Sequence, residues 1–325
     1  MKRMWTFALI VVLVAGLFAG CMGVETANNQ KQKKEEKLHI MATDFAPYDF
    51  ARKVAGDSAE VTMLLAPGQE AHSFEPTPKD IIAIENCDVF VYTGGESEAW
   101  VSDILETLDA KIKVVRLMDC VELYEEEAVE GMESHEEKDA DDALMDDPEV
   151  EYDEHIWTAP ANAIKITKHI GEALEQTDSV HAAAYKANVS DYVSELEELD
   201  GAFWNVVNHG KRKTLIFGDR FPLRYFVEEY GLSYYAAFPG CASDTEPNAK
   251  TVAFLIDKVK SENIPVVFHV ELSNQDMVNT ICSETGAKNR QFNAVHNVTK
   301  KQFKNGTGYL EMMWDNVEVL KEALE

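Results

Sequence analysis

From Ala161 to about Asn208 the apolar residues of this chain recur mainly at steps of three and four, with no proline inside the stretch. Ile164, Ile166, Ile170 and Leu174 mark one stripe, and Tyr185, Val189, Tyr192, Val193, Leu196, Leu199 and Phe203 mark the next. That period belongs to helix with one buried face. Thr177-Asp178-Ser179 predicts a break into two helices, with Ser179 near the second N-terminus. A helical stretch this long in mid-chain divides what lies on either side. On both sides the pattern is strand followed by helix.

Before it, strands are predicted at Lys37 to Ala42, Ala59 to Leu65, Asp88 to Tyr92 and Val114 to Leu117, with a helix around Tyr48 to Gly56. Thr77-Pro78-Lys79-Asp80 opens another helix, with Thr77 as N-cap, Pro78 at the first position and Asp80 in the acid-favoured first turn. After it the series resumes with strands at Thr214 to Phe217, Ser233 to Ala237 and Val266 to Val270. Helices are expected at Phe221 to Tyr230, Ala249 to Glu262, Asp276 to Thr285 and Gly308 to Leu324. Alternation at this spacing means mostly parallel sheets with flanking helices. The expected fold is α/β: two Rossmann-like lobes, residues 38–160 and 210–325, joined by a long connecting helical segment, 161–209.

The first residues carry an address. Lys2 and Arg3 precede an uncharged apolar run from Met4 to Phe18. The run falls short of the roughly 20 residues a membrane span needs, which favours an export signal over an uncleaved anchor helix. Leu17-Phe18-Ala19-Gly20-Cys21 resembles a bacterial lipobox, with Cys21 as the lipidated residue; residues 1–21 are then the signal peptide. Residues 22–37 are polar and charged, a tether unable to bury a core. The expected location is the outer face of the cytoplasmic membrane.

Net charge is -28. Residues 122–154 hold seventeen acids against one lysine, Lys138, and are read as an acidic surface loop. Such a run either collects cations or serves only as a solvated face. Outside the tether there is no extended cluster of Lys and Arg for a phosphate backbone, so nucleic acid is excluded as a partner. Cys87, Cys120, Cys241 and Cys282 show no CxxC spacing, which rules out a thiolate zinc knuckle. In an exported protein Cys241 and Cys282 are a candidate disulfide.

Three of the nine histidines sit in loops at element ends: His72 after a strand, His155 just after the acidic run, and His296 beyond the last strand. Ligands of open α/β sheets gather at such strand ends. A single loop histidine is nevertheless most often solvated or bonded to backbone. His39, His169, His181 and His209 are read that way. His135 lies within the acidic run as a weak trap, and His269 is read as structural in a buried strand.

The string from Leu64 to Pro78, Leu-Leu-Ala-Pro-Gly-Gln-Glu-Ala-His-Ser-Phe-Glu-Pro-Thr-Pro, resembles the signature loop of the solute-binding proteins of zinc and manganese ABC transporters. Asp153-Glu154-His155-Ile156-Trp157 resembles that family's second ligand segment, and the acidic insertion before it resembles the loop of the zinc-specific members. Phe217-Gly218-Asp219-Arg220-Phe221, Tyr225-Phe226, Tyr230-Gly231-Leu232, Glu271-Leu272-Ser273-Asn274, Glu284-Thr285-Gly286-Ala287 and Tyr309-Leu310 through Asn316 extend the similarity over the whole mature domain.

The resemblance implies a metal site in the cleft between the lobes, with His72 and His155 as the first two ligands. The third ligand position falls near Gly218-Asp219, and glycine has no side chain to offer. The fourth falls on His296. Asp219, Glu271 or water then completes the set, although Asp219 beside Arg220 reads equally as an ion pair. Three imidazoles and at most one oxygen suit tetrahedral Zn²⁺, whereas Mn²⁺, the alternative cargo, prefers more oxygen. Asp153, Glu154 and Glu75 are candidates for orienting the rings. The implied protein is no enzyme; it hands its metal to an ABC permease. Two other classes remain: an exported zinc hydrolase, which three histidines also suit but which lacks HExxH, and a surface adhesin on the same scaffold.

Overall fold

The computed structural model describes residues 37–132, 151–242 and 248–325. Cys21, residues 22–36 of the tether, and residues 133–150 of the acidic run with His135 lie outside the described residues. Among those described, no helix is long and apolar enough to cross a membrane.

The first sheet holds β1 (Leu38–Ala42), β2 (Ala59–Met63), β3 (Val89–Tyr92) and β4 (Lys113–Arg116), all parallel, in the order β2-β1-β3-β4. The second repeats it with β5 (Thr214–Phe221), β6 (Ser233–Pro239), β7 (Val266–His269) and β8 (Lys288–Gln291), ordered β6-β5-β7-β8. In β3 and β7 every residue is buried, as inner strands covered on both faces must be. In each sheet the strand order reverses beside its first strand. That is where a crevice opens at the carboxyl ends. The loops carrying His72, Glu271 and His296 leave from carboxyl ends, and Asp219 lies within β5 near its own carboxyl end.

Helix α1 (Phe45–Ala55) is capped by Asp44, whose side chain accepts from Ala46 N, so it starts before the expected Tyr48. Helix α2 (Pro78–Glu85) opens on the Thr77–Asp80 capping box with proline in the first turn, as its sequence predicts. A short helix, α3 (Trp100–Leu105), follows β3. The long helical stretch is two helices, α4 (Pro160–Thr177) and α5 (Ala182–His209). At the break Asp178 gathers Val180 N, His181 N, the His181 ring and the Tyr185 hydroxyl. That set of bonds carries the turn to residue 181, past the expected Ser179.

The second lobe adds α6 (Arg224–Tyr230), α7 (Ala249–Glu262), α8 (Asp276–Thr285), α9 (Lys300–Asn305) and α10 (Tyr309–Leu324). Here β5 outruns its expected end at Phe217, continuing to Phe221 through a register shift between Phe217 and Arg220. Pro222 follows, and α6 begins only at Arg224, later than the expected Phe221. One apolar cluster runs from Ile40 and Phe50 through Ile170, Leu196 and Phe203 to Phe217, Phe268 and Tyr309. The lobes are therefore fused along one face, and Asp49 of α1 adds a polar tie by accepting from Tyr309 N at 2.8 Å.

Candidate metal centre

His155 is placed by the return of the acid-rich stretch. Glu125 and Tyr152 form an antiparallel bridge, and Asp153 N donates to Tyr124 O at 3.0 Å. Asp153 Oδ1 then takes both the backbone N–H of His155, at 2.8 Å, and its Nδ1, at 2.9 Å. With Nδ1 turned to a carboxylate, Nε2 presents its lone pair. Burial opposes charge on this ring, but Asp153, with Glu154 and Glu126, outweighs it and holds the pKa above its ordinary value.

His72 rides on the loop after β2. Gln69 Oε1 accepts from Ala66 N at 3.1 Å, and Glu70 Oε1 accepts weakly from His72 N at 3.4 Å. From the other lobe Asn297 donates to Ala66 O and Gln69 O at 3.1 and 2.8 Å. Arg220 grips both oxygens of Glu70 at 3.4 and 3.2 Å. Burial first, and the neighbouring His155 second, lower the His72 pKa to about 4.

His296 lies on the irregular segment after β8. Glu271 accepts from Ala294 N at 2.6 Å and from His296 N at 2.9 Å, clamping the turn at Val295, whose φ is 61°. Trp157 Nε1 donates to Ala294 O at 2.8 Å and fixes the segment against the other lobe. Burial, then His155 and His72, depress the His296 pKa strongly.

The three rings meet. Centroids are 4.3 Å apart for His155 and His296, 5.1 Å for His72 and His296, and 5.5 Å for His72 and His155. Their ligating nitrogens lie within 4.8 Å of one another. All three Nε2 atoms are buried without a hydrogen-bond partner. An unpaired buried polar atom costs about 1–3 kcal/mol, and one cation placed among the three nitrogens would satisfy them together. Zn–N bonds of roughly 2.0–2.1 Å put tetrahedral nitrogens about 3.3 Å apart, somewhat closer than the 4.8 Å limit within which these nitrogens lie.

The carboxylates expected as completing ligands are engaged elsewhere. Asp219 accepts from Arg220 N at 2.8 Å and from Val270 N at 3.0 Å, tying β5 to the end of β7. It takes no place in the histidine cluster. Its interaction with Arg220 is through the backbone; the Arg220 guanidinium goes to Glu70. Both oxygens of Glu271 hold backbone, so Glu271 positions the His296 segment. Gly218 faces α8: a Cβ there would sit 2.9 Å from Val278 Cγ2 and 3.1 Å from Ile281 Cδ1.

The expected Cys241–Cys282 disulfide does not form, and both thiols are free. Cys282 packs on the apolar cluster of α7 and α8, while Cys241 turns into the cleft beside His72 and Glu154. Burial, then Glu154, Asp153 and Glu126, push the Cys241 thiol pKa well up. Of the suggested orienting acids, Asp153 holds the His155 ring. Glu154 accepts from Ser97 N at 2.6 Å and from the Ser97 hydroxyl, and it stands 3.9 Å from His72 Nδ1. Glu75 is exposed. His39, His181, His209 and His269 have partners of their own in Thr62, Asp178, Asn205 O and Asn289.

Residues 40–323 match the family model described as zinc-uptake complex component A, periplasmic. The chain belongs to this family. Among its relatives, the zinc-binding lipoprotein AdcA of Streptococcus pneumoniae (strain ATCC BAA-255 / R6) is 31% identical over 97% of this chain. The chain spans 61% of that relative's length. The high-affinity zinc uptake system protein ZnuA of Bacillus subtilis (strain 168) is 28% identical, covering 100% of this chain and 99% of its own. Among solved structures, the Zn(II)-bound ZnuA-like domain of Streptococcus pneumoniae AdcA superposes with a TM-score of 0.73 at 29% identity. That likeness covers 89% of this chain and 99% of that one, and the family's two-lobed fold is the one found here.

Proposed function

We propose that this protein is the extracytoplasmic zinc-binding component of an ABC metal importer. It is tethered through a lipid on Cys21, captures Zn²⁺ with His72, His155 and His296, and delivers it to the permease. The observation that carries the reading is the convergence of three buried Nε2 atoms with no hydrogen-bond partner among the described residues. Nitrogen-only donation favours zinc over manganese, whose preference is for oxygen. Water or an anion takes the fourth position, since Asp219 and Glu271 are occupied by backbone.

The protein acts as a carrier and performs no catalysis. Capture needs the loops to contract around the ion. Release needs the His72 loop to part from Asn297 and Arg220, which a permease that grips the cleft rim can bring about.

The test is metal analysis of the purified protein followed by competitive zinc titration. His72→Ala, His155→Ala and His296→Ala should each weaken zinc by at least roughly a hundredfold, whereas Asp219→Ala should leave affinity within a few-fold. Normal zinc binding by His296→Ala would end the three-imidazole reading.

A further inference from the structure

We propose that Cys241, with Glu154 and His72, forms an outer cation position through which zinc passes on its way to the three-histidine centre. The proposal rests on the zinc-carrier reading above and adds a route to it. The Cys241 sulfur, a Glu154 carboxylate oxygen and a His72 ring nitrogen lie within 4.8 Å of one another. The same sulfur is within 4.8 Å of carboxylate oxygens of Glu126 and Glu151, which adjoin the Glu125–Tyr152 bridge. Three ligand groups therefore stand in series. Glu126, Glu151 and Cys241 come first, then Cys241, Glu154 and His72, then His72, His155 and His296.

Each group shares one residue with the next. A cation can exchange ligands stepwise along this series without regaining its full hydration shell.

Local structure holds the thiol in this place. Cys241 N donates to Glu126 Oε1 at 3.0 Å. Gly240 lets the chain pass against the His155 ring: a Cβ there would lie 3.0 Å from His155 Cε1. The hinge of the series is His72, whose side chain is 7% exposed and whose Nε2 has no partner. The outer position is a passage and not a resting place. Glu154 already holds Ser97 through both oxygens, whereas the three Nε2 atoms further in have no competing partner.

Binding at sulfur exchanges the S–H proton for the cation. The proton leaves to solvent and is regained when the metal moves on to the imidazoles. Sulfur also filters. Carboxylates alone collect magnesium and calcium, while thiolate favours softer ions such as zinc.

Loading of the metal-free mature chain can be followed by stopped flow with Co²⁺ as a spectroscopic probe and with Zn²⁺ against a chromophoric chelator. Wild type should show a thiolate-to-cobalt charge-transfer band that decays as the imidazole-bound spectrum grows. Cys241→Ser and Cys241→Ala should lack the band and load roughly tenfold more slowly. They should unload more slowly by the same factor, because one path serves both directions. Glu126→Gln should slow loading too. Equal loading rates in wild type and both Cys241 variants, or no transient band in wild type, would overturn the route. So would a band that persists in the loaded protein, which would make Cys241 a resident ligand. Failure of wild type to hold zinc at equilibrium would instead sink the carrier reading.

Discussion

Four of the carboxylates weighed as ligands or as orienting groups are already engaged: Asp153 by His155, Glu154 by Ser97, Glu271 by Ala294 and His296, Asp219 by Arg220 and Val270. Negative charge here holds backbone and ring orientation and leaves coordination at the inner centre to nitrogen. Deeper in the first lobe Glu98 is buried and accepts from Gly94 N at 2.6 Å. Burial, with Glu154 adding to it, pushes its pKa up to about 7 from 4.5. Between those values the folded protein keeps a proton that the unfolded chain has released. The stability Glu98 contributes is thus full below pH 4.5 and lost as pH rises through 7. Glu98→Gln should gain on wild type as pH is raised from 5 to 8, by on the order of 2–3 kcal/mol, in urea denaturation of the zinc-free protein. A difference that stays flat with pH would refute this. At this scale the three histidines were legible, because each sits in a recognisable string at an element end. The roles of Asp219 and Glu271 were not, since which backbone N–H groups need an acceptor is decided by tertiary structure. Nor was the fate of Cys241, whose direction depends on a turn that spacing does not reveal.

Among the elements, β5 decides what the family's third ligand position can be. Its register shift turns Gly218 onto α8 and Asp219 onto the end of β7. A histidine introduced at 218 would drive into Val278 and Ile281 before it could reach the cleft. Gly218→His should therefore lower thermal stability by several degrees without tightening zinc in a competitive titration. Tighter zinc binding would show that the strand re-registers to admit the ring. The strands and most helices could be read from apolar period and capping chemistry, as Thr77-Pro78-Lys79-Asp80 illustrates. The extension of β5 and the Asp178 turn could not, because a bulge and a multi-bonded carboxylate leave no periodic trace.

Across the whole molecule, α5 spans 28 residues, about 42 Å, and packs against α4, α1 and α10 along one continuous apolar cluster. Two lobes sharing a core do not open like a hinge. Small-angle scattering should show a radius of gyration near 19 Å that changes by under roughly 1 Å on zinc loading. A change of several ångströms would mean that the shared core parts. The two-lobed architecture was visible in the sequence; the fusion of the lobes was not, since period identifies an apolar face and never names its partner.

The centre is assembled from residues 72, 155 and 296, drawn from the early, middle and late parts of the chain. A nascent chain that ends before residue 296 lacks at least one of the three rings, and none can seat the metal until the last strand has been made. Occupancy therefore certifies completion: a molecule that carries its cargo is a molecule that has finished folding.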